Sequence, residues 1–183
     1  MSLVTQTTTE ALSLVPENGK AEIINGELVL MPPTGFLPSR SASAVSRSLF
    51  DYEQRTKAGY SISDNTGFLV NLPNRQSFSP DAAFYTGTPT GMKFLSGAPI
   101  FAVEVRSEND YGPQAEREMA EKRRDYFAAG TQVVWDVDLL SDDVVKVYRA
   151  TDPTNPTIYR RGETAEAEPA VPGWRMPVDE LFM

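Results

Sequence analysis

The sequence predicts an α/β fold, a mixed central β-sheet flanked by helices and preceded by a β-hairpin. Three stretches carry that prediction. Residues 98–106 read A-P-I-F-A-V-E-V-R, an almost unbroken apolar run of the kind a central strand needs when both of its faces are covered. Residues 113–129 follow with Ala115, Met119, Lys122, Tyr126 and Ala129 at steps of four and three, so that they share one helix face. Residues 21–31 place Asn25-Gly26 between runs rich in Ile, Leu and Val, which suits the two-residue turn with φ > 0 at both positions. Two residues contradict these patterns. Glu104 is an ionisable group in the apolar strand, and Lys122 sits in the middle of the stripe that ought to face the sheet. Such contradictions are expected at functional sites. A buried Glu104–Lys122 ion pair, or a Lys that snorkels past the sheet edge, is the plainer alternative.

Taken in order, residues 1–15 are rich in Thr and Ser and read as a loose arm, with a short helix near 9–14. After the hairpin, Pro32-Pro33 ends its second strand. Residues 39–57 form a helix with Ala42, Val45, Leu49 and Tyr52 as its apolar stripe, closed by Gly59. Short strands are expected over 60–63 and 67–72, with a loop at 73–79. Pro80 cannot sit in a central ladder, so it fixes the start of the next strand and places Asp81 at that strand's mouth, unless Asp81 is only a turn or capping residue. The Gly- and Pro-rich stretch 86–97 reads as a loop that covers or borders a site. Pro113 opens the helix at the position proline tolerates best, and Gly130 ends it. Residues 131–137 are β-rich, 138–143 a polar turn and 144–149 the returning strand of a hairpin. A turn is expected at 152–156, an edge strand at 157–161, a solvated acidic edge at 163–168, a turn at 172–174 and a short closing helix at 178–182. With no repeat, linker or break in composition, residues 16–183 read as a single domain.

Composition narrows the chemistry. The 183 residues include no cysteine and no histidine. Disulfides, thiolate zinc sites, cysteine nucleophiles, Ser-His-Asp triads and His-metal sites are therefore excluded. Acid–base work falls to carboxylates, Lys, Tyr or water activated by a metal. A net charge of −8 opposes strong non-specific nucleic-acid binding but leaves room for a locally basic cleft. No stretch approaches a membrane span and residues 1–14 lack the pattern of a signal peptide, so the expectation is a cytoplasmic protein without membrane contact.

Asp81 at one strand's mouth, Glu104 in the next strand and Lys122 on the following helix form an ordered set. Two carboxylates on neighbouring strands can share one hard cation, Mg²⁺ or Mn²⁺, and a Lys beside them can orient the attacking water or stabilise charge on a phosphate. Pro80-Asp81 followed by Glu104-Val105-Arg106 resembles the PD-(D/E)XK nuclease signature with its final Lys replaced. Within that superfamily the chain is similar to the Uma-two family. The resemblance rests on I-I-N-G-E-L-V-L-M-P-P-T-G (23–35), S-P-D-A-A-F (79–84), V-E-V-R-S-E-N-D (103–110), K-R-R-D-Y-F-A-A-G (122–130), V-V-W-D-V-D (133–138) and P-G-W (172–174), in that order.

The resemblance implies a restriction-endonuclease-like core, DNA as substrate, divalent-metal catalysis and a homodimer. It implies Asp81 and Glu104 as metal-binding carboxylates, the Val105 carbonyl as a further ligand, and Lys122 in the place of the signature Lys. Two departures stand out. The family's pattern carries a His after P-T-G where this chain has Pro38 and Ser39, and Arg106 occupies the position of the classical strand Lys. Arg is a poor general base but can clamp a phosphate, so Arg106 is expected to face solvent or phosphate. Glu27 and Asp110 also fall in family-like motifs, with turn or capping roles expected for both. The sequence thus favours a metal-dependent endonuclease hydrolysing phosphodiester bonds. The alternatives are a catalytically inactive nuclease-fold module that binds DNA or protein, and an interaction protein whose Glu104–Lys122 pair is structural.

Overall fold

The apolar run around Phe101 becomes an interior strand of a six-stranded sheet. The computed structural model describes residues 9–14 and 19–183. In chain order the elements are α1 (Thr9–Leu12), β1 (Lys20–Ile24), β2 (Glu27–Met31), α2 (Phe36–Thr56), β3 (Tyr60–Ser63), β4 (Phe68–Leu69), β5 (Ser77–Phe78), β6 (Ala82–Tyr85), β7 (Leu95–Ser96), β8 (Phe101–Val105), α3 (Pro113–Ala128), β9 (Val133–Val137), β10 (Val145–Arg149), β11 (Asp152–Tyr159), β12 (Thr164–Glu166), β13 (Arg175–Pro177) and a closing 3₁₀ helix (Val178–Phe182). The central sheet runs β11-β10-β9-β8-β6-β3. Only β8 and β9 pair in parallel within it, so the sheet is mixed. Of the arm expected over 1–15, residues 1–8 and 15 lie outside the described residues, and α1 falls within the short helix expected there.

Side-chain alternation along β8 assigns its two faces. Phe101, Val103 and Val105 join the larger core with Val45, Leu49 and Tyr52 of α2 and with Trp135 and Trp174. Ala102 joins a smaller core with Tyr126 of α3, Phe78 and Val134. Glu104 therefore points to the α3 face, and its register partner on β9 is Asp136. Covering both faces is what makes the strand apolar, and one polar pair on the α3 side is the exception that needs explaining.

Local chemistry accounts for the main boundaries. Asn25 (φ 52°) and Gly26 (φ 76°) both adopt the left-handed region, as the hairpin turn requires. Helix α2 starts at Phe36, earlier than the expected 39, because Pro38 falls in the first turn, where a missing N–H costs no hydrogen bond. It closes on Lys57 in the left-handed conformation, not on Gly59. A Cβ at Gly59 would lie 2.7 Å from the Phe84 ring and from the Tyr85 carbonyl, so that glycine serves close packing. The strand expected over 67–72 is only Phe68–Leu69.

Two expectations at the far edge are corrected. Residues 152–156 are not a turn but the start of β11, an eight-residue edge strand in which Pro153 and Pro156 fall in the irregular stretch between the Arg149–Asp152 and Val147–Thr157 pairs, where no ladder partner is lost. The acidic stretch 163–168 is not a purely solvated edge: it contains β12, paired to β13, with Ala165 and Ala167 buried and Glu166 bound to Arg149. The buried alanines between its carboxylates anchor the strand.

Candidate active site

The hairpin β1–β2 is held over the α3 face of the sheet by the segment leading into β5. Gln76 donates its N–H to the Ile23 carbonyl (3.0 Å), and Ile23 donates its own to Ser77 Oγ (2.8 Å). This docking brings Lys20 and Glu22, two residues apart on β1, against the ends of β6 and β8. The result is a cleft of about 820 Å³ whose lining includes Lys20, Glu22, Asp81, Glu104, Lys122 and Tyr126.

Asp81 lies just before β6. Its backbone N–H donates to the Val103 carbonyl (3.0 Å) and its Oδ2 accepts the Val105 N–H (2.7 Å), so backbone and side chain are both tied to β8. The N–H and C=O of a strand residue point to the same neighbour, so the Val105 carbonyl leaves β8 on the Asp81 flank. The outward oxygen, Asp81 Oδ1, accepts Lys20 Nζ at 2.8 Å. Lys20 also reaches Asp64 Oδ1 at 2.7 Å.

Glu104 and Lys122 meet as the stripe predicts, at 2.9 Å between Nζ and Oε1. The same Glu104 oxygen accepts the Tyr126 hydroxyl at 2.6 Å, while Tyr126 stacks on Phe78 with ring centroids 4.0 Å apart. One oxygen of Glu104 thus takes both donors. Its second oxygen, Oε2, takes none of the hydrogen bonds found among the described residues. Burial, and then Asp81 and Glu22, push the Glu104 carboxyl above its ordinary value against the pull of Lys122. Although burial would lower it, the Lys122 ammonium is raised by Glu104 and Glu22 and stays charged. Burial also drives the Tyr126 hydroxyl well up, reinforced by Glu104, so it remains a donor.

Sequence reasoning missed Glu22. It is fully buried and accepts Lys122 Nζ (2.9 Å), Arg75 Nη1 (2.5 Å) and the Ser79 N–H (2.8 Å). Burial would raise its pKa, but Lys122 and Arg75 hold it below the usual carboxylate value. Arg75 is also bound to Asp125 at 2.8 Å. The only hint in the sequence was a charge set between apolar residues in a hairpin strand, a place where polar residues normally face water.

Arg106 departs from expectation. It faces neither solvent nor an open phosphate position: its guanidinium is buried, forks onto both oxygens of Asp136 at 2.8 Å and binds Glu116. Two residues after Glu104 on the same face, it falls beside β9's buried Asp136, which claims it. Asp110 closes its own turn, accepting the Ser107 N–H and hydroxyl. Glu27 is exposed. The loop 86–97 contributes nothing to the cleft lining.

Among the described residues no three His, Cys, Asp or Glu side chains converge as a metal-ligand group. The donor set is two carboxylates and a backbone carbonyl, and Mg²⁺ needs no more, since it keeps most of its waters. Charge supports the fit. The ion pairs around Glu22, Asp81 and Glu104 join five carboxylates (Glu22, Asp64, Asp81, Glu104, Asp125) to three cations (Lys20, Arg75, Lys122), a shortfall of two positive charges.

Comparison with known proteins agrees with this architecture. The crystal structure of a protein described as a putative nuclease belonging to DUF820, from Anabaena variabilis, superposes with a TM-score of 0.70. It is 16% identical, over 88% of this chain and 89% of that one, a likeness that shows the fold. No curated protein matches the chain. No helix among the described residues is long and apolar enough to cross a membrane. The family described as Uma2, putative restriction endonuclease, matches residues 8–179, and the chain belongs to that nuclease-fold family.

Proposed function

We propose that the protein is a divalent-metal-dependent DNA endonuclease that hydrolyses phosphodiester bonds at the cleft between β1, β6, β8 and α3. The observation that carries this reading is that five carboxylates around Asp81 and Glu104 share only three cations, with the charged Lys122 beside Glu104. Asp81, Glu104 and the Val105 carbonyl would hold Mg²⁺ or Mn²⁺. A divalent cation so placed supplies acidified water and neutralises charge on the phosphate.

The chain's own residues have separable tasks. Lys122 stays protonated, so it serves as a cation and donor and not as a general base. Two of its three N–H groups go to Glu22 and Glu104, and the third is left to orient the nucleophilic water or a phosphate oxygen. Tyr126 shares the Lys122-bound oxygen of Glu104 and fixes that carboxylate, freeing Oε2 for a ligand. Glu22 and Arg75 act behind Lys122 as positioning residues. On this reading the working form is a homodimer acting on duplex DNA in the cytoplasm, one cleft for each strand.

A second reading has its own support: Lys20, Arg75 and Lys122 are each already paired with carboxylates, as in an inactive module that binds DNA or protein through the same fold. Nicking of supercoiled plasmid with Mn²⁺ or Mg²⁺ separates the two. The nuclease reading expects activity in the parent that Glu104→Ala and Lys122→Ala, purified identically, both lose. Equal activity in all three would reveal a contaminant and sink the assignment.

A further inference from the structure

Lys20 is the one cation of the cleft with no part in holding Lys122 or α3. It enters from the first position of β1, with its side chain 15% exposed, and its ammonium lies 2.8 Å from Asp81 Oδ1 and 2.7 Å from Asp64 Oδ1. The other oxygen of Asp81 is committed to the Val105 N–H. Oδ1 is therefore the oxygen Asp81 can give to an added cation, and an ammonium already sits on it. Burial alone would lower the Lys20 pKa, yet Asp81, Glu104 and Asp64 raise it, so the group remains a cation within the field of both cleft carboxylates. Asp64 differs from Asp81 in being 40% exposed, on the loop after β3, with Oδ1 also accepting the Asn65 N–H.

We propose that Lys20 is an intramolecular counter-ion that occupies the cation position on Asp81 in the metal-free protein and yields it to a divalent cation by pivoting onto Asp64. This deepens the metal-dependent reading and rests on it. The physics is competitive. A divalent ion drawn by Asp81 and Glu104 must first break the Lys20–Asp81 pair, so part of its attraction goes to displacing a charge the fold placed there. Asp64 lowers that cost, because the displaced ammonium keeps a carboxylate partner and is not stranded beside the incoming ion. By linkage, whatever Lys20 takes from metal affinity, the metal takes from the hold of Asp81 on Lys20. Lys20 is thus a positioning residue that sets how much metal the cleft needs before it fills.

Mn²⁺ binding by calorimetry on the full chain, in low salt, tests this without any catalytic readout. Lys20→Met, with Lys20→Gln as a second variant should the first fold poorly, is expected to bind Mn²⁺ roughly tenfold more tightly than the parent, within the range of ordinary coupling energies. Lys20→Arg, which keeps the charge, should stay close to the parent. Asp64→Asn should weaken Mn²⁺ binding in the parent but change it by no more than about twofold in the Lys20→Met background, because Asp64 acts only through Lys20. If the parent binds Mn²⁺ and the Lys20 variants bind it equally or less well, the exchange is wrong while the metal site stands. If Asp64→Asn weakens binding equally in both backgrounds, Asp64 is a ligand and the pivot is overturned. If neither parent nor variants bind Mn²⁺, the metal reading and the exchange fall together.

Discussion

Two charged networks lie side by side on the α3 face of the sheet, and they are built to opposite specifications. Around Arg106, two cations meet two carboxylates: Arg106 forks onto Asp136 and binds Glu116, while Arg123 adds a longer contact to Asp136 at 3.8 Å and lies over the Tyr148 ring at 3.7 Å. Charge and donors there are matched. Around Glu104, five carboxylates share three cations, each of those cations divides itself between two acids, and among the described residues Glu104 Oε2 takes no donor. Both networks hang on register partners of the same strand pair, Glu104 and Asp136. Buried charge alone therefore does not mark a site. A network that closes on itself holds elements together, and the one left short of positive charge is where the proposed metal site lies.

Breaking the closed network should have the largest effect. Arg106→Met leaves Asp136 buried without its partner and is expected to cost about 3–5 kcal/mol in urea unfolding. The response of the melting temperature to Mn²⁺ should stay that of the parent, since Arg106 belongs to the scaffold. A loss of the Mn²⁺ response with stability intact would erase the distinction between the networks.

The open network should respond less, and with a pH signature. Glu22→Gln keeps the shape but removes the charge that Lys122 and Arg75 share, and a loss of roughly 1.5–3 kcal/mol is expected at neutral pH. Glu22 is held below the ordinary carboxylate value of 4.5 in the folded protein. Its favourable contribution is therefore present above that value and lost as pH falls through the lower folded value. The stability gap between parent and variant should accordingly close on acidification. A gap constant from pH 7 down to acid unfolding would show that the charge of Glu22 contributes nothing.

Much of this was legible in the sequence, for identifiable reasons. Asn25-Gly26 encodes its own turn, the apolar run of β8 reports burial on both faces, and the period of α3 aims Lys122 at Glu104 without tertiary knowledge. Those signals are local. Lys20, Glu22 and Arg75 escaped because their roles come from long-range docking: Ile24 bridges Arg75, and Ile23 is held by the Gln76 N–H and the Ser77 hydroxyl. Nothing in β1 itself says that this hairpin will cover a cleft. Arg106 was misjudged because its partner Asp136 lies on β9, thirty residues further on, and only the parallel register of β8 and β9 brings them together. Pro153 and Pro156 suggested a turn because sequence cannot tell an edge strand, where proline is tolerated, from a break in the chain.

Melting of the parent and of Glu104→Gln with and without Mn²⁺ tests the shortage of positive charge around Glu104. Removing one crowded carboxylate should raise the metal-free melting temperature by a few degrees, the shift expected for about 1 kcal/mol in a chain of this size. Mn²⁺ should then stabilise the parent strongly and the variant little. A metal-free variant less stable than the parent, with Mn²⁺ without effect on either, would mean that Glu104 and Lys122 are a closed ion pair like Arg106 and Asp136, and that the cleft holds no metal.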